Sequence, residues 1–272
     1  MTEQIHATRY AGNPAENYQR YFVPSIGAPV ADDLIETAGP RAGQRVLDVA
    51  CGTGVVARLA AERVGATGAV AGLDLNPCML AIARAQASSG ATIDWYEANA
   101  EAMPFPAGSF DIVLCQMGLQ FVANKLAALR EIRRVLDIGG RAWVNVPGPK
   151  PAMFGILTDA LSRHLGPAAA SFGDLVFSMH DVDELTELMR SAGFREIDVE
   201  SKPRTLPLPP PADFLWQYIN STPLAQAAAQ ADESTRDAIE REVCAQWQDF
   251  VQDGALSLQV HMTTATGVRL EE

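Results

Sequence analysis

Four cysteines in 272 residues, Cys51, Cys78, Cys115 and Cys244, never come within CxxC distance of one another. That spacing excludes a zinc ribbon and offers no disulfide framework, so a reduced, cytoplasmic protein is expected. No apolar run approaches the roughly 20 residues that cross a bilayer. The first twenty residues lack the basic start and apolar centre of a secretory signal. Basic residues are few: 21 Lys and Arg stand against 33 Asp and Glu, a net charge of −12. Nucleic-acid binders need a basic footprint to displace counterions from phosphate. The longest basic cluster, Arg130, Arg133 and Arg134, is broken by Glu131 and reads as a solvated helix face. Neither nucleic acid nor a membrane surface is an expected partner. There is no HExxH, and the segment VPGPKP at 146–151 supplies no carboxylate, so no metal is expected.

What is present is a regular alternation. Strands are expected at 45–49, 69–73, 92–97, 110–115 and 142–146. Helices are expected at 55–64, from Pro77 to about 88 with Asn76 as N-cap, and from Asn124 through 136, stopped by Gly139-Gly140. Each strand is a continuous apolar run, as in a parallel sheet covered on both faces. The fold class is therefore α/β, a doubly wound, mostly parallel, seven-stranded sheet. Helices near 15–21 and 31–38 precede it. Beyond Pro147 the pattern predicts a helix over 151–164 and an amphipathic one over 181–191, with Val182, Leu185, Leu188 and Met189 on one face. A sixth strand over 196–202, a stiff proline-rich connector over 206–214, helices near 213–220 and 232–250, and a last strand over 258–266 follow. The expected organisation is an N-terminal helical lid over 1–40, a binding core over 41–150, and the remaining strands with a helical cap over 151–272.

The stretch VLDVACGTGVVA is where chemistry enters. A strand ends in Asp48, and Ala50, Cys51, Gly52, Thr53 and Gly54 turn the chain into a helix. Such a loop brings backbone N–H groups and a helix N-terminus to a ligand. GTGVVA matches the dinucleotide pattern, and Asp74 lies 20 residues after Gly54, where a ribose-binding acid belongs. Asp48 fits a pyrophosphate poorly, because a carboxylate there would face like charge. More acid follows at Glu97 and Glu101, with Asn99 between. A ligand with ribose, adenine and an ammonium but no phosphate suits this set better.

With that ligand in view, VLDVACGTG resembles the first motif of class I S-adenosylmethionine-dependent methyltransferases. GLDLNPCMLAIAR (72–84) is similar to their second strand and helix, and ANAEAMPF (98–105) to their third-strand loop, with Asn99 where Asp is usual. FDIVLCQMGLQFV (110–122) and LREIRRVLDIGGRAWV (129–144) resemble the small-molecule branch that includes quinone-biosynthesis methyltransferases (methyltransferase type 11). The resemblance covers about 18–148. It implies a Rossmann-like methyltransferase fold and transfer of a methyl group to a small-molecule acceptor at an O, N, S or C atom. It also implies S-adenosylmethionine as cofactor, with S-adenosylhomocysteine as product. It assigns Asp48 and the Gly52–Gly54 loop to the methionine portion, places Ala50 and Cys51 in the cofactor site, and assigns Asp74 to the ribose, Leu75 to the adenine face, Asn99 and Ala100 to the adenine edge, and Gln116 to the region of the methyl.

Beyond the motifs, Gln116, His164 and His261 are candidates for catalysis. Tyr18, Tyr21, Gln116, Gln120 and Phe121 are candidates for acceptor contact, Gln116 and Gln120 as a pair sharing one helical face. A homodimer is compatible with all of this. Two other readings stay open: an NAD-dependent oxidoreductase, and a non-catalytic S-adenosylmethionine-binding protein.

Overall fold

A computed structural model describes residues 12–271. In chain order, α1 (Pro14–Asn17) leads into a wider π-helical stretch, Tyr18–Gly27, that contains Pro24, and then α2 (Ala28–Ala38). Pro24 has no N–H to place in an α-helical ladder, which accounts for the altered winding. There follow β1 (Arg45–Val49), α3 (Val55–Val64), β2 (Ala69–Asp74), α4 (Pro77–Ala85), β3 (Ile93–Glu97), β4 (Phe110–Gln116), α5 (Lys125–Val135) and β5 (Leu136–Pro147). The remainder is α6 (Ala152–Leu165), α7 (Pro167–Val176), α8 (Val182–Ser191), β6 (Arg195–Leu208), α9 (Pro211–Asn220), α10 (Leu224–Gln230), α11 (Glu233–Trp247), β7 (Val251–Gln252) and β8 (Ala255–Val268). The sheet order is β3-β2-β1-β4-β5-β8-β6, with the two-residue β7 pairing on β8. The expected seven strands are thus joined by a short eighth.

Contacts group the chain into two units. One comprises residues 12–27, Pro149–Ser178 and Pro203–Val260; the other comprises Ala28–Gly148, Met179–Lys202 and 261–271. The boundary expected at 150 lies within two residues of the one at Gly148/Pro149, whereas that expected at 40 lies beyond the one at Gly27/Ala28. The helix Ala28–Ala38, expected in a lid, packs in the same unit as β1 to β5.

That unit follows from strand alternation. β1, β2, β3, β4 and β5 are parallel, and β8 runs antiparallel to β5. Successive side chains on a strand face opposite ways. Val46, Val70, Ile112 and Leu114 pack with Leu34 and Ile35 of α2 and with Val56, Ala60 and Val64 of α3. Leu47, Leu73, Val113 and Cys115 pack with Leu129 and Ile132 of α5 and with Leu185 and Met189 of α8. Two cores thus clamp one sheet and hold the strand ends rigid.

The other unit is built on aromatic packing. Phe154 lies 5.3 Å from Phe177 and 5.1 Å from Tyr218 between ring centroids, and Phe214 lies 5.7 Å from Trp247. Trp247 is fully buried and its Nε1–H donates to the Met153 carbonyl at 2.9 Å. Trp247→Ala is expected to cost about 3–5 kcal/mol in this unit through lost contacts and the cavity left behind. Trp247→Phe should cost less. Denaturant unfolding followed by intrinsic fluorescence checks the order of the two.

Candidate active site

The strand order reverses between β1 and β4, and ligands of open α/β sheets bind beyond the carboxyl ends of the strands at such a point. Both strands end there in unusual backbone. Ala50 has φ 55° and Met117 has φ 47°. Non-glycine residues in this region cost about 1–3 kcal/mol and persist only when their surroundings over-determine them. The tethers are explicit. Cys51 N–H donates to Leu73 O at 3.0 Å, and Met117 N–H donates to Asn145 O at 2.9 Å and Asn145 Oδ1 at 3.1 Å. Asn145 is buried on β5, in register with Gln116.

Asp74 ties two loops together. Its Oδ2 accepts Gly52 N–H at 2.8 Å and its Oδ1 accepts Asn76 N–H at 2.8 Å. Burial raises its pKa, while the N–H groups of Asn76, Gly52 and Leu75 pull it back. Asn76 caps α4 by accepting Cys78 N–H at 2.9 Å, with Pro77 next in chain, as its sequence predicts. Leu75, between the two, is 67 % exposed, a large apolar side chain presented at the tip of β2.

Asp48 departs from expectation. It is buried, and its Oδ2 accepts Ala57 N–H at 3.0 Å, capping the first turn of α3 from below. Burial pushes its pKa up to about 8, with a smaller push from Asp74. A protonated Asp48 brings no charge against a pyrophosphate, so the electrostatic argument from Asp48 against a dinucleotide lapses. An arginine that sequence reading overlooked also lies here: Arg58 Nη1 donates to Thr53 O at 2.7 Å, and burial lowers its pKa. Because the folded pKa of Asp48 exceeds the unfolded value of about 4, folding takes up a proton. The stability it contributes is complete below pH 4 and is lost as pH rises through 8. Asp48→Asn, a shape-match for the protonated acid, is expected to flatten this dependence and to raise stability at pH 8.5 by a few kcal/mol. Thermal unfolding of both proteins between pH 5 and 9 measures it.

Gly54 has φ 81°, and a Cβ there would stand 2.3 Å from Trp95 Cη2. A Cβ on Gly72, which is in register with Trp95, would meet the same ring at 2.4 Å. Two glycines make the bed of one indole. At Gly54, the close approach predicted for a ligand is made by Trp95.

The remaining candidates divide by unit. Asn99 is exposed, and its Oδ1 already accepts Glu101 N–H at 2.9 Å, leaving one lone pair and the amide nitrogen for an adenine edge. Ala100 is buried. Gln116 closes β4, whereas Gln120 lies in a separate 3₁₀ turn, Leu119–Phe121, so the predicted shared helical face does not exist; Met117 turns the chain between them. Gln120 is buried, donates from Nε2 to Met117 O at 2.9 Å, and its Oε1 has no partner among the described residues. Phe121 is 47 % exposed. His261 is exposed on β8 beside the end of β5, where Gly148 N–H donates to its carbonyl at 2.7 Å. His164, Tyr18 and Tyr21 belong to the other unit. There His164 Nε2 lies 2.7 Å from Glu242 Oε2, which also pairs with Arg163. Tyr18 stacks on Phe22 at 4.7 Å, and the Arg20 guanidinium lies over the Tyr21 ring.

A model of the ubiE/COQ5 methyltransferase family matches residues 25–204, a span that holds every loop of this site. The chain belongs to that family. Over 114 residues it is 47% identical to the ubiquinone/menaquinone biosynthesis C-methyltransferase UbiE of Xanthomonas oryzae pv. oryzae, covering 41% of this chain and 45% of that protein. Over 177 residues it is 39% identical to the Xylella fastidiosa protein of the same name, covering 59% and 70%. The chain thus spans about half the length of the first of these relatives. Among solved structures, Haemonchus contortus phosphoethanolamine N-methyltransferase 2, in complex with phosphomonomethylethanolamine and S-adenosylhomocysteine, aligns with a TM-score of 0.60 at 19% identity, covering 98% of this chain and 59% of that one. That likeness concerns the fold.

The donor set fits S-adenosylmethionine. Asp74 keeps a lone pair on each oxygen for ribose hydroxyls, Leu75 offers an uncovered apolar face, and the buried Thr53 Oγ1 has no partner among the described residues. Arg58, at the loop, is turned to Thr53 O.

Proposed function

We propose that this protein is an S-adenosylmethionine-dependent methyltransferase acting on a small-molecule acceptor, with a ring carbon of a quinone-pathway precursor as the first candidate for the methylated atom. The family match over 25–204 carries this reading, since it includes every loop just described. Dinucleotide binding is disfavoured by the same match. The name of the Xanthomonas and Xylella relatives supplies the acceptor class.

The cofactor, when bound, supplies a methyl group made electrophilic by a sulfonium. The residues of this chain hold the two reactants. Asp74 takes the ribose hydroxyls, Leu75 the adenine face, and Asn99 with the Ala100 backbone the adenine edge. The Gly52–Gly54 loop, with Ala50, Cys51 and Asp48 behind it, takes the amino-acid portion. Gln116, Gln120 and Phe121, beyond the end of β4, take the acceptor, and positioning of this kind supplies most of the rate in a direct displacement. A ring hydroxyl that must lose its proton is assigned to His261, which stands at the same edge of the sheet. His164 is left out of the machinery, because it is engaged in the other unit by Glu242, which also pairs with Arg163. Net charge −12 supports a small neutral acceptor over a nucleic acid.

Isothermal titration with S-adenosylmethionine, S-adenosylhomocysteine and NAD tests the cofactor. The first two are expected to bind and the third to remain silent; NAD binding alone would sink the proposal. Labelled methyl transfer to a hydroquinone with an open ring position, run beside amine and thiol acceptors, then tests the atom. Binding without transfer to any of them would favour a non-catalytic binding protein.

A further inference from the structure

We infer that Glu101 is a positioning residue that couples the adenine-edge loop to the acceptor loop, so that an occupied cofactor site orders the place where the acceptor binds. The inference rests on the cofactor reading above and deepens it.

The observation is a relay of hydrogen bonds. Asn99 Oδ1 accepts Glu101 N–H at 2.9 Å, and Glu101 Oε1 accepts Asn124 N–H at 2.9 Å. Asn124 is the N-cap of α5, its Oδ1 accepting Ala127 N–H at 3.0 Å. The acceptor loop, 117–123, is therefore anchored at both ends, and Lys125 Nζ also donates to Val122 O at 3.1 Å. At one end Met117 N–H is fixed to Asn145, buried in the sheet. At the other, Asn124 N–H is fixed to a side chain of the adenine-edge loop. The far end of that loop is anchored independently: Glu131 Oε2 accepts Met103 N–H at 2.7 Å, and Arg134 donates to Phe105 O at 2.7 Å and Met103 O at 3.1 Å. Residues 103–105 are thus part of the α5 scaffold whether or not a ligand is present. The segment 99–101 lies outside that scaffold, held by Ala98 N–H on Asp74 O at 3.1 Å and by Ala102 N–H on Asn99 O at 3.0 Å, and Glu101 is its link to the acceptor loop. The strain at Met117 makes that loop one whose geometry depends on its anchors. Energetic coupling needs an element that both sites bias, and the segment 117–124 is that element here.

Amide hydrogen exchange on the full chain, with and without saturating S-adenosylhomocysteine, tests this. The reporters are Phe121 and Val122, whose N–H groups bond within the loop to Gly118 O and Leu119 O and not to Glu101. In the wild type the ligand is expected to slow exchange at 50–54, 74–76 and 99–101, and also at 121–122 by about 5-fold or more, the lower end of ordinary site-to-site coupling. In Glu101→Ala, and in Glu101→Leu, which keeps an apolar stem, the first three segments should still respond while 121–122 no longer does. Glu101→Gln keeps an acceptor oxygen and should restore the response. A purely structural Glu101 would change exchange at 121–122 equally in both states, leaving the ligand dependence intact, and that result overturns the inference. So does a wild type in which 121–122 ignores the ligand. No protection at any segment would instead mean that the cofactor reading itself has failed.

Discussion

Asp74→Ala is expected to weaken S-adenosylhomocysteine binding by at least about 100-fold while leaving the fold in place. The carboxylate accepts two backbone N–H bonds, from Gly52 and Asn76, each at 2.8 Å. Hydrogen bonds to an ionised group are worth about 1.5–3 kcal/mol each, so removing the acceptor releases the tips of both β1 and β2. The ribose contacts proposed for the same oxygens are lost as well. Asp74→Asn sharpens the test. Its single oxygen can serve Asn76, but then its amide nitrogen faces the Gly52 N–H, donor against donor. The asparagine variant is therefore expected to bind nearly as poorly as the alanine variant, not at half the loss. Titration calorimetry on the three proteins decides it, and an Asp74→Asn affinity close to wild type would mean that the Gly52 tether does not matter to binding.

Much of this arrangement is legible in the sequence because it is local. β1 and α3 fall at 45–49 and 55–64 as expected, since an apolar run followed by a glycine turn admits few conformations. Asn76-Pro77 and Asn124 mark helix starts correctly, because an N-cap is a contact between near neighbours. What fails is what depends on partners distant in sequence. Gly139-Gly140 suggests a helix stop after 136, yet β5 already begins at Leu136, which pairs with Phe110 through a register shift. The prolines at 203 and 207 argue against a strand, yet β6 runs from Arg195 through Leu208. It is an edge strand, where a missing N–H is tolerated. The alanine-rich α7 and α10 carry too little periodicity to announce themselves.

The site shows the same division. Asp74, Leu75 and the glycine loop are visible as motifs. Arg58 and Asn145 are not, and Glu101 shows only as part of the acidic run, because the bonds of Asn145 and Glu101 to Met117 N–H and Asn124 N–H join groups that only the fold brings near. Asp48 is visible as a residue but not in its protonation. Its motif position points to a charged ligand contact, while burial beside Asp74 decides its protonation. Sequence supplies the residue type, and the environment supplies its chemistry.

Trp95 is the most consequential of the residues that motif reading misses, and it sets the second large prediction. Gly54→Ala faces two separate costs. The backbone at φ 81° penalises any L side chain by about 1–2 kcal/mol. The new methyl also stands 2.3 Å from the indole, an overlap that must displace the ring or the loop and costs about 1–3 kcal/mol more. Arg58 Nη1, at 3.2 Å from the same position, loses room to reach Thr53 O. The sum, about 2–5 kcal/mol, falls on the loop that holds Gly52 to Asp74, so stability and cofactor affinity should drop together. A second substitution separates the terms. In a Trp95→Ala background the overlap is gone and only the backbone penalty remains, so Gly54→Ala should cost markedly less there than in the wild type. Chemical denaturation of the four proteins in that cycle measures the difference directly. Equal costs in the two backgrounds would show that the glycine serves its backbone angle alone, and that the indole is a bystander to the loop.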